Sequence, residues 1–246
     1  MIIKGKDFDD TFKKVCLILN DCPLQAPRGL KTKEIINSSY TIEDPFSCIL
    51  TNPHRKISEK YLLAELKWYL SGDQSIKNIK EHATMWEKIA NPDGTVNSNY
   101  GYYVWKQTWK GCSQFEWIIN SLKKDSDTRQ AVINFNQPFH KYEGNKDFVC
   151  TLSTQYFIRN NKLYCIVNMR SQDFVFGAGN DVPFFVYVQK EILEALKDTY
   201  PDLEMGSITT NCGSLHIYER HFNMLEKIVT DENPYISKTL FEVFGR

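Results

Sequence analysis

The chain contains no apolar run near the roughly 18 residues that a membrane-spanning helix needs. Its opening, MIIKGKDFDD, has nothing like the hydrophobic stretch of a secretory leader. Neither charge is in excess, because 30 Lys and Arg balance 30 Asp and Glu. That balance argues against a general nucleic-acid or membrane-surface binder, although a local basic pocket stays compatible with it. The seven cysteines include no C-x-x-C pair, which removes the zinc ribbon and the thioredoxin-like site. No G-x-x-x-x-G-K loop occurs, so the chain is not a P-loop nucleotidase. These absences lead us to expect a cytoplasmic protein with reduced thiols, no metal, and no nucleic-acid or membrane partner.

What is present is ordinary in apolar content and rich in aromatics, at 13%. Aromatics at that level fit either a thick core or a surface for stacking a flat ligand. With 246 residues and no linker, repeat or low-complexity tract, we expect one domain over 1–246. Apolar spacing predicts helices over 7–20, 57–71, 113–123, 182–198 and 219–229. Strands are expected over 33–42, 130–135, 151–159, 162–170 and 206–218, with Asn160-Asn161 as a tight hairpin turn. Residues 91–101 read as a loop, and so does the glycine-broken stretch carrying Asn180 and Asp181. The fold class is therefore α+β, with helices packed on a largely antiparallel or mixed sheet.

Cys150 stands at a loop-to-strand junction, and Arg170 ends the next strand of the same hairpin. A neighbouring guanidinium favours a thiolate, while a buried cysteine is also an ordinary apolar filler. A cysteine hydrolase would pair Cys150 with His216 or His221, but the β-prone run after Cys150 lacks the helix that holds such a thiolate. Arg129, Arg170 and Ser171 at strand ends suit a phosphate clamp, which Arg28 in the 22–32 loop could close. Read singly, each is an ordinary surface charge. His216 and Tyr218 share one strand face and suit a sugar hydroxyl or, equally, a satisfied polar pair. Glu65 lies mid-helix among Leu62, Leu63, Leu66 and Trp68. If buried, its carboxyl would hold its proton and could manage water.

Six stretches in register resemble the thymidylate synthase family: AELKWYLSG (64–72), MWEKIANPDGTVNSNYG (85–101), TRQ (128–130), CTLSTQ (150–155), RSQDFVFG (170–177) and HIY (216–218). The resemblance implies a homodimer that uses 5,10-methylenetetrahydrofolate as co-substrate. It makes Cys150 the nucleophile at pyrimidine carbon 6. Glu65, Tyr100 and Asp173 would handle protons, water and folate, with Trp86 and Gly177 in the folate pocket. Arg170 and Ser171 would bind phosphate in the same subunit, and Arg129 would reach the other subunit's phosphate. His216 and Tyr218 would hold the sugar 3′-hydroxyl, and Gln155 matches a glutamine of the sheet.

The departures from the family pattern bear on the substrate. Uracil-specific members carry asparagine where this chain has Asp181. A carboxyl can accept from the amino group of cytosine while sharing a proton with its N3. If the loop were shifted by one, Asn180 would read the base and uracil would be preferred. SNYG and FGxxND resemble phage deoxycytidylate hydroxymethylases, in which water captures the one-carbon unit. Thr151 replaces a histidine, Gln130 a second interface arginine, and LFEVFGR the usual ending. The expected activity is thus 5-hydroxymethylation of dCMP or CMP. Thymidylate synthesis from dUMP is the alternative, and an inactive binding relative the third possibility.

Overall fold

The computed structural model describes residues 2–245, with Arg28 described by its backbone alone. In chain order the strands are β1 (Ile2–Gly5), β2 (Leu24–Gln25), β3 (Thr32–Ile42), β4 (Thr108–Trp109), β5 (Cys112–Ser113), β6 (Val132–Asn134), β7 (Thr151–Arg159), β8 (Lys162–Asp173) and β9 (Glu204–Tyr218). The helices are α1 (Phe8–Asn20), α2 (Glu59–Ser71), α3 (Met85–Ile89), α4 (Gln114–Lys124), α5 (Ala178–Leu196), α6 (Phe222–Thr230) and α7 (Leu240–Phe244).

Local chemistry explains the main elements. Ser58 caps α2 by accepting from the Tyr61 N–H at 3.2 Å, and Gly72 ends it in the left-handed region at φ 63°. Ser113 and Glu116 form a reciprocal capping box on α4. Asn160 and Asn161 turn β7 into β8 with φ of 51° and 58°, the two positive angles that a two-residue hairpin turn requires.

One sheet of seven strands organises the molecule in the order β1-β3-β9-β8-β7-β6, with β2 also on β3. It is mixed: β1 with β3 and β8 with β9 run parallel, and the remaining pairs antiparallel. Helices α1, α4 and α5 pack on the sheet, over a core that includes Phe12, Tyr40, Val167, Phe174 and Phe185. On alternate strand positions lies a polar row, Ser153–Asn168–Asn211–Ser39, hydrogen-bonded across β7, β8, β9 and β3 at 3.2, 3.1 and 2.6 Å. Phe157, Tyr164 and Ile166 on the same alternation are half-buried.

Three expectations need correction. Asn180 and Asp181 are not in a loop but in the first turn of α5, which starts four residues earlier than the apolar spacing suggests. Gly177 permits a tight turn out of β8 rather than a break, since a Cβ there would meet the Asp173 carbonyl oxygen at 2.8 Å. The loop over 91–101 ends at Asn99, and a π-helical turn follows at Tyr102–Lys106. The helix expected at 219 begins at Phe222, after a tight 3₁₀ turn.

Candidate active site

The ends of β8 and β9, the start of α5, the inner face of α2 and the residue before β7 converge on one cleft. Cys150 is half-buried at its junction. The backbone N–H of Arg170 donates to the Cys150 carbonyl at 2.9 Å, which aligns the two residues across the hairpin. The Arg170 guanidinium donates to the carbonyls of Val149, at 3.1 Å, and Phe148, and lies 3.4 Å from the Cys150 sulfur. A fixed positive charge therefore stands where a thiolate would carry its negative one.

Glu65 is 6% exposed on the inner face of α2. Tyr61, one turn earlier, donates to its Oε1 at 2.7 Å and receives the Trp86 indole N–H at 3.1 Å. Burial pushes the Glu65 carboxyl up to about 8; the Tyr61 bond opposes this and the nearby Asp181 adds to it. Asp181 is pushed up to about 7, again chiefly by burial, with the Gln172 amide opposing and Asp173 adding. Tyr100 is raised by burial first, then by the charges of Asp181 and Cys150. Cys212 also feels both Asp181 and Cys150. Gln172, which holds Asp181, and Arg170, which contacts Cys150, lie two apart on β8, so both groups sit at the same end of that strand.

The register of β8 with β9 sets Asp173 beside His216 and Ser171 beside Ser214. His216 and Tyr218 have ring centroids 5.0 Å apart, edge to face. Burial lowers the His216 pKa, and the Asp173 charge partly offsets it. Asp173 accepts from the Phe176 N–H at 3.2 Å and pairs with Arg220 at 3.8 Å. Asn180 lines a narrow pocket with Glu65, Tyr69 and Phe244, so α7 closes this side. A wider groove, about 660 Å³, runs along the solvent side of α2. None of the candidate residues lines it, and the chemistry favours the narrower cleft.

Two expected residues lie apart from these. Arg129 is exposed beside β6, its carbonyl held by Gln155 Nε2 at 2.9 Å. Gln155 is five residues along β7 from Cys150, about 17 Å of strand. The side chain of Arg28 lies outside the described residues. Trp86 is 3% exposed and packs edge-on against Trp68, so it reaches the cleft mainly through Tyr61.

Sequence reasoning missed Tyr61, Gln172, Arg55 and Asp147. Tyr61 was legible as the i,i+4 neighbour of Glu65. Asp147 accepts from the N–H and hydroxyl of Ser98 and ties the loop before Cys150 to the SNYG stretch. Arg55 is 7% exposed, donates to the carbonyls of Val175 and Phe176, and lies 4.3 Å from the Phe176 ring. No local pattern marks the last two. Among the described residues, no group of three or more His, Cys, Asp or Glu is arranged to hold a metal, and no helix is long and apolar enough to cross a membrane.

The sequence model of the thymidylate synthase family matches residues 18–241. The deoxycytidylate 5-hydroxymethyltransferase of Enterobacteria phage T4 is 34% identical over 217 residues, 85% of each chain. That of phage T2 is 34% identical over 205 residues, 80% of each. Thermostable thymidylate synthase A from Bacillus subtilis superposes with a TM-score of 0.72 over 94% of this chain and 86% of that one. At 21% identity, this last likeness is one of fold.

Proposed function

Because the chain belongs to the thymidylate synthase family, we propose that it is a pyrimidine nucleotide 5-hydroxymethyltransferase acting on dCMP or CMP. The names of its phage relatives support the reaction class. The observation that carries the base assignment is Asp181, a half-buried carboxyl held by Gln172 at the end of β8 beside the Arg170 that contacts Cys150, where a uracil-reading member would offer an amide.

In this reading residues 1–246 form one catalytic domain. Cys150 adds its sulfur to carbon 6, the electron pair of the 5,6 double bond moves into the ring, and carbon 5 becomes enamine-like. Asp181 accepts from the 4-amino group and shares a proton with N3. N3 gains basicity as carbon 6 is attacked, so the pair tightens toward the transition state. Carbon 5 would bond the one-carbon unit, lose its own proton and release the folate nitrogen, leaving an exocyclic methylene on the nucleotide; Glu65, oriented by Tyr61, holds the water that captures it, with Tyr100 alongside. Cys150 then leaves as thiolate, giving 5-hydroxymethyl-(d)CMP and tetrahydrofolate. Arg170 and Ser171 take the phosphate, His216 and Tyr218 the sugar 3′-hydroxyl. Arg129, distant from its own Cys150, serves the other subunit of a homodimer.

When bound, 5,10-methylenetetrahydrofolate supplies the one-carbon unit. The residues present fit such a ligand. The Asp173 carboxylate suits the donor edge of a pterin-like ring, and Phe176, 39% exposed and stacked on His221 at 4.3 Å, offers an apolar flank. The family resemblance adds Gly177, next to Phe176 in the chain, and Trp86, which acts there through Tyr61.

The test is turnover of dCMP, CMP, dUMP and UMP with methylenetetrahydrofolate, followed by mass analysis. The expected product is a hydroxymethylated cytosine nucleotide formed without dihydrofolate absorbance. A methylated uracil nucleotide accompanied by dihydrofolate would overturn the proposal.

A further inference from the structure

We propose that Gln172 is a specificity-determining residue, because it fixes which oxygen of Asp181 bears the carboxyl proton. This inference rests on the cytosine reading above and deepens it.

Gln172 is 2% exposed near the end of β8. Its Nε2 donates to Asp181 Oδ2 at 3.0 Å. Its Oε1 accepts from the Tyr40 hydroxyl at 2.8 Å and from the Cys212 thiol at 3.6 Å. Tyr40 is 1% exposed, and burial keeps its phenol protonated, so it remains a donor. With two donors on Oε1, the amide turns its N–H side toward Asp181.

A neutral carboxyl is ambivalent toward pyrimidines. With the proton on one oxygen, it donates to a bare N3 and accepts from a 4-amino group, which is the cytosine pattern. With the proton on the other, it accepts from N3–H and donates to a 4-carbonyl, which is the uracil pattern. An unassisted acid would thus serve both bases by moving one proton. A donor held on Oδ2 stabilises that oxygen as the acceptor and disfavours a hydroxyl there. The oxygen held by Gln172 then receives the 4-amino group, and the other passes its proton to N3. Uracil would meet a donor against N3–H and an acceptor against its 4-carbonyl, the kind of mismatch that discriminates strongly.

The test compares wild type, Q172M and Y40F. Q172M keeps the volume but removes the donor, and Y40F removes the hydroxyl that orients the amide. The readouts are calorimetric binding and kcat/KM for dCMP and dUMP, or the matching ribonucleotides, across pH. We expect the cytosine-to-uracil preference to fall about tenfold or more in Q172M, with uracil binding rising in absolute terms. Y40F should move the same way by less. The limb set by Asp181 should move to higher pH in Q172M, because the lost N–H had favoured the carboxylate. Glu65 and Asp173 are the other acids that face Asp181. Tyr61, Tyr69, Tyr100, Tyr40 and Cys212 face it from the surrounding elements. All but the substituted residue are common to the proteins compared. A folded Q172M with the wild-type ratio and pH profile would overturn the inference and leave the cytosine reading standing. If Q172M does not fold, an unchanged ratio in Y40F would overturn it instead. A wild type that prefers uracil would remove the cytosine reading and the inference together.

Discussion

Glu65 and Asp181 are acids that fold into their protonated forms. Their carboxyls move from ordinary values of 4.5 and 3.8 up to about 8 and about 7. The native state therefore binds protons that the unfolded chain has released, and stability falls as pH rises across that window. The ligand-free protein should lose melting temperature between about pH 5 and pH 8, and Glu65→Gln should flatten part of that slope. Calorimetric scans at several pH values measure both effects. Tyr61→Phe removes a bond that favours the Glu65 carboxylate, so the pH limb set by Glu65 should rise, which a kcat profile would detect. Cys150→Ser should cut turnover by several orders of magnitude and leave nucleotide binding nearly intact, since a hydroxyl is a far weaker nucleophile at neutral pH. The reacting residues were legible because each sits in a short motif. Gln172 was not, because its importance comes from Tyr40, 132 positions away in the chain.

Among the elements, α2 carries Glu65 and its Tyr61 partner; its end was readable from Gly72, while its start falls after Ser58, two residues later than the apolar spacing suggests. Its partner segment was not readable. Asn99 Nδ2 bonds the carbonyls of Trp68 and Asp73 at 3.0 and 2.9 Å, and fastens the SNYG stretch to the end of α2. Gly101 presses so closely on this end that a Cβ would lie 1.6 Å from the Tyr69 carbonyl oxygen. Gly101→Ala must part these segments, and we expect a loss of several kcal/mol, measurable by denaturant unfolding, with Tyr100 displaced from its stack on Tyr69. The start of α5 was misread for a related reason. Glycines that look like flexible punctuation in a sequence here allow two backbones to touch.

At the scale of the whole molecule, the homodimer reading gives a test that needs no partner structure. Arg129 variants and Cys150→Ser are each expected to be nearly inactive. Mixed under exchange conditions, they should recover activity above either parent, because one site of the hybrid regains both residues. Failure to complement, with hybrid formation verified by mass spectrometry, would count against an arginine supplied in trans. Strand identity was largely readable from the runs of Val, Ile, Phe and Tyr, while strand order was not, because neighbours in the sheet are remote in the chain. The order has a consequence of its own. β9 lies between β3 and β8 and, among the described residues, is the one strand joining the β1–β2–β3 group to the β6–β7–β8 group. Without β9 the two groups would each present an unpaired inner edge. That one strand closes both edges and sets His216 beside Asp173, so the continuity of the sheet and the assembly of the nucleotide site depend on the same fifteen residues.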